Sequence, residues 1–414
     1  MIQYALAWQP QSDNLGDDLR TYAAMQLLPR IDRVLDADNL DAPIPDLSDD
    51  DRLVTLISGN VLRENTHWLP EKHIAPVCVG VHLSQEDVWG IPFAQLNGAG
   101  KDYLTACAPI GCRDQRTVNL LEQIGIPHQL TACLTLTLKR PQVRTQSYVC
   151  CVDVPHEVVE TLQTYAAGTT VQELTHQLTD ASTDFNTRMD NVKQLLRIYA
   201  GAKFVVTRRL HCAMACLAMG TPVLLLYNSD YEDVTRFAPM DQMVRTQPVE
   251  TFLHQLRQGG MPQSWTNPMG IEAWQEKLTA AVEQGIRTAE GMALPIIPDD
   301  TAALWRTQQM RQLAVSSAGK IHRLEQQQLT ALHEKFTFIL REDSAKAVLT
   351  TMLNEPEVRT ALQRAAQRKL IRSHPWQQRP AAWLKMKQGK LTPEDWHAQA
   401  MEQLQLLGWP EENE

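Results

Sequence analysis

The stretch that most constrains the fold covers residues 202–227, where two short apolar runs flank one helical segment. Residues 203–207 and 223–227 have the length and composition of buried strands, and residues 210–219 have helical spacing. Gly220 stands where this helix is expected to end, because glycine readily adopts the left-handed backbone of a helix C-terminus. The pattern predicts a strand, a helix and a second strand, which together form the βαβ unit of a parallel sheet.

Arg208, Arg209 and His211 follow the first of these strands and begin the helix. In parallel sheets, ligands bind beyond the carboxyl ends of the strands, where helix N-termini offer N–H groups to anions. A guanidinium and a titratable imidazole at this place suit a phosphorylated, acidic substrate that also exchanges a proton. This stretch alone leaves an alternative open, namely two surface arginines and a histidine with an ordinary capping role.

Four segments together resemble the polysaccharide pyruvyltransferase family. They are residues 208–226, which begin Arg-Arg-Leu-His, and residues 14–18, 110–117 and 132–138, which read NLGDD, IGCRDQRT and ACLTLTL. Their order and spacing carry the resemblance, which covers roughly residues 1–287. The family transfers the enolpyruvyl unit of phosphoenolpyruvate to sugar hydroxyls and so forms a pyruvate ketal on a glycan. The last segment departs from the family in carrying Ala132 where glycine is expected.

The strand pattern and the resemblance predict an α/β protein with two Rossmann-like domains in a glycosyltransferase-B-like arrangement. We expect an N-terminal domain over residues 1–140, a C-terminal domain over residues 141–290 and a helical extension over residues 291–414. The site is expected in the cleft between the two domains. Residues 271–290 are interpreted as a helix that closes the second domain. Residues 32–51, which are rich in aspartate, are interpreted as a surface connection.

Arg113 and Arg209 are expected to bind the two anionic ends of the donor, a role that the resemblance implies for them. A planar carboxylate suits the arginine fork, and the phosphate needs a second positive charge. The other substrate-binding candidates lie at strand ends or within the family segments: Asn14, Gly16, Gly59, Asn60 and Leu210. For Gly59 the alternative is a purely structural need for positive φ.

His211 and Asp17 are the catalytic candidates. Among side chains, histidine titrates closest to neutral pH, so His211 is expected to be the proton shuttle of ketal formation. Asp17 is a candidate base for the acceptor hydroxyl, and the alternative is that it stabilises the dipole of a first helical turn. A nearby phosphate raises the pKa of His211 and a helix N-terminus lowers it, so the sequence leaves the sign of the shift open.

Composition narrows the class of protein. A chain of 414 residues exceeds one ordinary domain, and its formal net charge of −9 argues against nucleic acid as a partner. The start does not resemble a signal peptide, and no apolar window reaches the length of a membrane span, so a cytoplasmic location is expected. The eight cysteines lack metal-ligand spacing. We expect no metal and no cofactor, with phosphoenolpyruvate acting as donor substrate.

The C-terminal tail carries a basic stretch between residues 359 and 390 that includes Trp376 and Trp383. Such a stretch suits contact with the inner face of an anionic membrane, where lipid-linked acceptors lie. The alternative is a helical appendage that packs on the core or on a second subunit. Packing on a second subunit would make the protein a homo-oligomer. The expected acceptor is a sugar or a lipid-linked oligosaccharide of exopolysaccharide biosynthesis. Two other functions stay open: a nucleotide-sugar glycosyltransferase of the same architecture, and a non-catalytic protein that binds glycans or acts as a scaffold.

Overall fold

The computed structural model describes residues 1–60, 68–83, 96–165, 170–178, 184–227, 240–259 and 266–340. The chain divides into two compact units, Met1–Ser316 and Ser317–Glu414. Of the second unit, residues 317–340 are described and are helical. The basic stretch of the tail lies outside the described residues. Within the described ranges, none of the helices combines the length and the hydropathy that a membrane span requires.

The strands of the first unit form two parallel sheets. In the described residues, the first sheet contains β1 (Ile2–Trp8), β2 (Arg33–Asp36), β3 (Arg52–Gly59), β4 (Ile74–Val81), β5 (Ile110–Cys112) and β6 (His128–Leu130). Their order is β2-β1-β3-β4-β5-β6. The second sheet contains β7 (Tyr148–Val152), β8 (Thr170–Leu174), β9 (Phe204–Thr207), β10 (Val223–Tyr227) and β11 (Arg245–Pro248), in the order β11-β10-β9-β7-β8. These two sheets with flanking helices confirm the predicted α/β class with two Rossmann-like halves.

Three of the helices begin at a side-chain cap that the sequence supplies. They are α1 (Leu15–Leu27), α2 (Gly98–Ala106), α3 (Gln115–Gln123), α4 (His156–Tyr165), α5 (Phe185–Gly201), α6 (Leu210–Ala218), α7 (Met240–Met243), α8 (Val249–Gly259), α9 (Ile271–Gly291) and α10 (Asp299–Leu340), with a 3-10 helix over Leu134–Thr137. Asn14, Asp114 and Asp184 accept backbone N–H groups in the first turns of α1, α3 and α5. Such caps satisfy donors that the helix itself leaves without partners.

The two sheets share one hydrophobic core. Helices α1, α5, α6 and α9 and the 3-10 helix contribute to it together with one face of each sheet. Leu6 and Leu56 represent the first sheet in this core, and Cys150 and Val205 represent the second. Helices α2 and α3 and the first turns of α10 cover the other face of the first sheet, and α4 and α8 cover that of the second. The shared core fixes the position of one sheet relative to the other.

Helix α9 packs on the first sheet, although the sequence predicted that it closes the second domain. It contacts β3, β4 and the 3-10 helix. A Cβ built on Gly285 would lie 2.6 Å from Val77 Cγ1 of β4, so helix and strand approach closely. Arg52 of β3 donates hydrogen bonds to the carbonyls of Glu290 and Met292 at the end of the helix. The prediction was wrong because an amphipathic pattern shows which face is buried but not what buries it.

Strand β2 lies within the segment that was interpreted as a surface connection. Its four residues pair in parallel with the end of β1, where Ala5 is opposite Arg33 and Trp8 is opposite Asp36. None of the four is fully buried, so the segment lacks the apolar run that identifies a strand in a sequence. The sequence analysis missed this edge strand because its composition is polar. Backbone hydrogen bonds to the neighbouring β1 stabilise it.

A buried ion pair joins α1 to α5 across the shared core. The side chains of Asp18 and Arg188 are both fully buried. Arg188 Nε donates to Asp18 Oδ2 at 2.8 Å, and Arg188 Nη2 lies 2.7 Å from the same oxygen. Trp8 Nε1 donates to Asp18 Oδ1 at 3.0 Å, and Arg188 Nη1 donates to the carbonyl of Pro10 at 3.0 Å. A buried charge without a partner is strongly destabilising, so neither residue can lose the other at low cost. The ion pair therefore holds the two halves together.

Removal of one partner should destabilise the protein strongly. Arg188→Met leaves the Asp18 carboxylate buried without its positive partner, so we expect the free energy of unfolding to fall by about 3–5 kcal/mol. Urea titration measures this change. The matched control is Arg197→Met on the same helix, where the side chain is exposed and a change within about 0.5 kcal/mol is expected. Equal stability of the two variants would contradict the structural role of the pair.

Candidate functional site

Several of the candidate residues lie where the strand order of each sheet reverses. In the first sheet β1 stands between β2 and β3; Gly16 lies in the first turn of α1, which follows β1, and Asn60 directly follows β3. In the second sheet β7 stands between β8 and β9, and Asp153 and Arg209 follow β7 and β9. Open parallel sheets bind ligands in the crevice at such a reversal. The two halves therefore each offer one crevice.

The loop after β1 touches the second half of the molecule directly. Leu15 N–H donates to the carbonyl of His176 at 2.8 Å, and Asn14 forms an antiparallel bridge with Gln177. A Cβ built on Gly16 would lie 2.6 Å from His211 Nδ1, closer than a side chain tolerates. The Asn-Leu-Gly-Asp segment and the Arg-Leu-His segment, which come from different halves of the sequence, thus meet in space.

His211 lies in the first turn of α6, and its Nε2 is buried with no hydrogen-bond partner in the described part of the chain. Burial lowers the pKa of His211 to about 3. The Asp17 carboxylate opposes this shift, whereas Arg113, Arg20 and His176 act in the same direction as burial. The imidazole is therefore neutral at neutral pH. In the ligand-free protein the pKa shift of His211, whose direction the sequence left open, is downward. Groups from both halves gather around this one ring.

Asp17 lies in the first turn of α1, and its carboxylate is held in place. Ser12 Oγ donates to Asp17 Oδ2 at 2.6 Å, and Arg20 Nη2 lies 3.7 Å from Asp17 Oδ1. Arg20 is almost fully buried and also donates to Gln9 Oε1 at 2.9 Å. The sequence analysis missed Arg20. The one available signal was its spacing of three residues from Asp17 on a helix.

Gly59 ends β3 with a φ of +70°, and a Cβ built on it would collide with the guanidinium of Arg20. The left-handed backbone and this close approach both favour glycine. The alternative that glycine is needed at position 59 for its backbone conformation therefore has a physical basis. Asn60 follows, and its carbonyl lies 3.5 Å from Gln9 Nε2. A direct role of Gly59 or Asn60 in substrate binding stays a prediction.

Arg113 follows β5 and is oriented by the residue next to it. Its Nε donates to Asp114 Oδ2 at 3.1 Å. Asp114 is fully buried, accepts from Thr117 N at 3.0 Å and Thr117 Oγ1 at 2.9 Å, and lies 2.6 Å from His82 Nδ1. Burial raises the pKa of Asp114, but the hydrogen bond from His82 and the charge of Arg113 outweigh it and lower the pKa to about 2.

Arg209 has a similar arrangement at the second sheet. Its Nε donates to Asp153 Oδ2 at 2.7 Å. Asp153 also accepts from Thr175 Oγ1 at 2.6 Å and from His176 N at 2.9 Å. Burial opposes ionisation of Asp153, but these hydrogen bonds and Arg209 lower its pKa overall. In the described residues, the side-chain hydrogen bonds of Arg113 and Arg209 both use Nε, which leaves the Nη edges for an anion.

The structure brings most of the predicted residues to the contact between the two halves. Arg209 occupies the position before α6, which begins at Leu210, and His211 follows in the first turn. Leu210 packs against the shared core. The functional candidates that the sequence analysis missed are Arg20, His82, Asp153 and His176, which belong to none of its motifs. Within the described ranges, no group of three or more His, Cys, Asp or Glu side chains is placed to hold a metal ion.

This arrangement defines an α/β protein whose site combines two oriented guanidiniums, a helix N-terminus and a neutral imidazole. Such a site suits an anionic ligand and a proton transfer. The family model described as polysaccharide pyruvyl transferase matches residues 94–230, which contain Arg113, Arg209 and His211. The match supports the resemblance over these residues, which contain three of the four segments: residues 110–117, 132–138 and 208–226.

Solved structures resemble the chain only distantly. An uncharacterized protein of Klebsiella pneumoniae is 13% identical, with a TM-score of 0.35, over 60% of this chain and 93% of that one. A UDP-GlcNAc 2-epimerase of Methanocaldococcus jannaschii is 10% identical, with a TM-score of 0.35, over 66% and 97% of the two chains. The same enzyme in complex with UDP-GlcNAc and UDP is 12% identical, with a TM-score of 0.37, over 68% and 99%. No curated protein matches the chain.

The lowered pKa of His211 should appear in the pH dependence of stability. The folded pKa lies below the unfolded value of 6.5, so the unfolded chain binds the proton first as the pH falls. Stability should therefore fall below about pH 6.5, with a share from His211 of up to about 1.4 kcal/mol per pH unit. His211→Gln should lack this share in urea titrations at pH 6.5 and 5.5. The control is His254→Gln at an exposed position, and this variant should keep the share from His211. If the free energy of unfolding changes equally with pH in both variants, the burial of His211 is contradicted.

Proposed function

We propose that the chain transfers the enolpyruvyl unit of phosphoenolpyruvate to sugar hydroxyls of a glycan, forms a pyruvate ketal and releases phosphate. The observation that carries the proposal is the contact of Gly16 with His211, where a built Cβ would be 2.6 Å from the imidazole. It joins two family segments at one group that can exchange a proton. The family match over residues 94–230 supports the same reaction.

The donor carries a carboxylate and a phosphate, and we assign these groups to Arg113 and Arg209. Each guanidinium is already oriented through Nε by a carboxylate, Asp114 in one case and Asp153 in the other. An anion therefore meets Nη atoms whose direction is fixed before binding, which reduces the ordering cost. The N-terminus of α6 at Leu210 adds a favourable dipole. No cofactor is needed for this binding.

The reaction needs one proton at C3 of the donor and a new bond from oxygen to C2. The first sugar hydroxyl adds to C2 and gives up its proton, while C3 gains a proton and becomes a methyl group. The second hydroxyl then displaces phosphate from C2, and its proton leaves with the phosphate. The sum is one phosphate released and one ketal formed. The two proton transfers at C3 and at the first hydroxyl require a group that can accept and then donate.

His211 fits this role as a proton shuttle. Its Nδ1 faces Gly16, and its buried Nε2 has no partner in the described residues, so we assign the proton exchange to Nε2. With a pKa of about 3 the imidazole starts neutral and accepts the hydroxyl proton. Bound phosphate raises that pKa, and the imidazolium then delivers the proton to C3. Asp17 remains the second candidate for the base, although Ser12 and Arg20 already engage its carboxylate.

We further propose that the reaction takes place in the cytoplasm during exopolysaccharide biosynthesis. The acceptor is a free sugar unit or a lipid-linked oligosaccharide. For a lipid-linked acceptor, the basic stretch of residues 359–390 would contact the inner face of the membrane. The chain would act as a homo-oligomer if this stretch instead packs on a second subunit.

Phosphate release from phosphoenolpyruvate, measured with a panel of galactosides and N-acetylmannosaminides, tests the proposal. We expect release only when a suitable acceptor is present. Transfer from a nucleotide sugar instead would identify a glycosyltransferase, and binding of glycans without any transfer would identify a binding or scaffold protein.

Donor affinity tests the two arginines separately. Arg113→Ala or Arg209→Ala should raise the dissociation constant of phosphoenolpyruvate by roughly a hundredfold, because each removes a charge-assisted contact. Calorimetry measures this change. Arg116→Ala is the matched control, since Arg116 is exposed on the helix that follows Arg113, and its donor affinity should stay within about twofold. Unchanged affinity in both arginine variants would reject the assignment.

A further inference from the structure

We infer that His82 and Asp114 form a positioning pair that sets the direction in which Arg113 presents its guanidinium. This inference rests on the proposed function in one respect, namely that phosphoenolpyruvate is the donor that Arg113 binds. His82 belongs to none of the family segments. Its role follows from the contacts at the carboxyl ends of β3, β4 and β5.

One carboxylate oxygen connects the imidazole to the guanidinium. His82 directly follows β4, and its N–H donates to the carbonyl of Gly59 at 3.0 Å. His82 Nδ1 lies 2.6 Å from Asp114 Oδ2, and Arg113 Nε donates to this same oxygen at 3.1 Å. His82 is thereby anchored to the end of β3 while it holds the carboxylate that orients Arg113.

The other oxygen of Asp114 is also fixed. Thr117 N and Thr117 Oγ1 both donate to Asp114 Oδ1, at 3.0 and 2.9 Å. The Asp114 side chain is 0% exposed, whereas that of Arg113 is 12% exposed. Asp114 therefore cannot meet a substrate itself and acts through Arg113. With both oxygens bound, the plane of the carboxylate has a single orientation.

The protonation states favour this arrangement. The pKa of Asp114 is about 2, so its carboxylate is ionised at neutral pH and can only accept hydrogen bonds. His82 Nδ1 must therefore carry the proton of the shared hydrogen bond. Burial lowers the pKa of His82, and Arg113 acts in the same direction against Asp114. The imidazole thus serves as a neutral donor and leaves the negative charge of Asp114 to Arg113.

Loss of His82 should loosen Arg113 without touching the proton shuttle. Asp114 Oδ2 would then be bound by Arg113 alone, and the two side chains could swing together. Donor binding depends on the direction of the Nη edge, so the KM for the donor should rise. The chemical step at His211 should change much less.

The same strand offers a matched control. His73 directly precedes β4, and its Nδ1 lies 2.8 Å from Glu71 Oε1 in another buried pair of a histidine and a carboxylate. Eight strand residues separate the two histidines, a distance of about 30 Å along the strand. The His73 pair has the same chemistry, but it is far from Arg113.

Steady-state phosphate release from phosphoenolpyruvate at saturating acceptor tests the inference in the full chain. His82→Ala should raise the KM for phosphoenolpyruvate roughly tenfold, the scale of one charge-assisted hydrogen bond, with kcat within about threefold of wild type. His82→Asn should restore most of the affinity, because its amide can donate from nearly the position of Nδ1. His73→Ala should leave the KM unchanged. A KM within twofold of wild type for His82→Ala, or no rescue by His82→Asn, would overturn the inference.

A second measurement separates this inference from the proposed function. If wild-type protein releases no phosphate with any acceptor, the proposed function fails, and the positioning pair is tested by the rate at which phenylglyoxal modifies Arg113. Mass spectrometry of the peptides gives this rate, with Arg209 in the same chain as internal reference. His82→Ala should increase the relative rate at Arg113 severalfold, and His82→Asn should bring it back. An unchanged relative rate would reject the pair.

Discussion

The close approach of Gly16 to His211 is the contact on which the site depends. It is possible only because position 16 has no side chain, and it places the first turn of α1 against the first turn of α6. Two helix N-termini therefore face one small region, where their dipoles add to the charge of nearby arginines. The shared core and the buried pair of Asp18 with Arg188 hold the two halves at this distance.

The same surroundings link the binding of an anion to the proton chemistry. In the free protein, burial and the positive charges of Arg113 and Arg20 keep His211 neutral, while Asp17 opposes them. An anion bound by Arg113 would offset part of this positive charge, and the imidazole would then become easier to protonate. In the proposed reaction, the donor thus prepares the group that handles its own proton. Neutral ligands would not produce this change.

The sequence predicted those parts of the fold that carry their own local signal. The unit over residues 202–227 was predicted because its strands are continuous apolar runs and Gly220 ends the helix with a φ of +68°. The glycine expected at Ala132 from the family also has a physical basis, since Ala132 has a φ of +66°. The partner of α9 was not predictable, because it depends on the packing of distant segments. Arg20 and His82 were not predicted for a similar reason. Each is a single polar residue whose role depends on the residues that the tertiary structure places next to it.

Turnover by a His211→Gln variant tests the central claim most directly, because the claim assigns the proton shuttle to a side chain at which the two halves meet. With phosphoenolpyruvate and an acceptor that supports phosphate release by the wild type, we expect kcat to fall roughly a hundredfold or more. Donor affinity should stay close to that of the wild type, since Arg113 and Arg209 are intact. Near-normal turnover would contradict the account and would move the role to Asp17 or to another group.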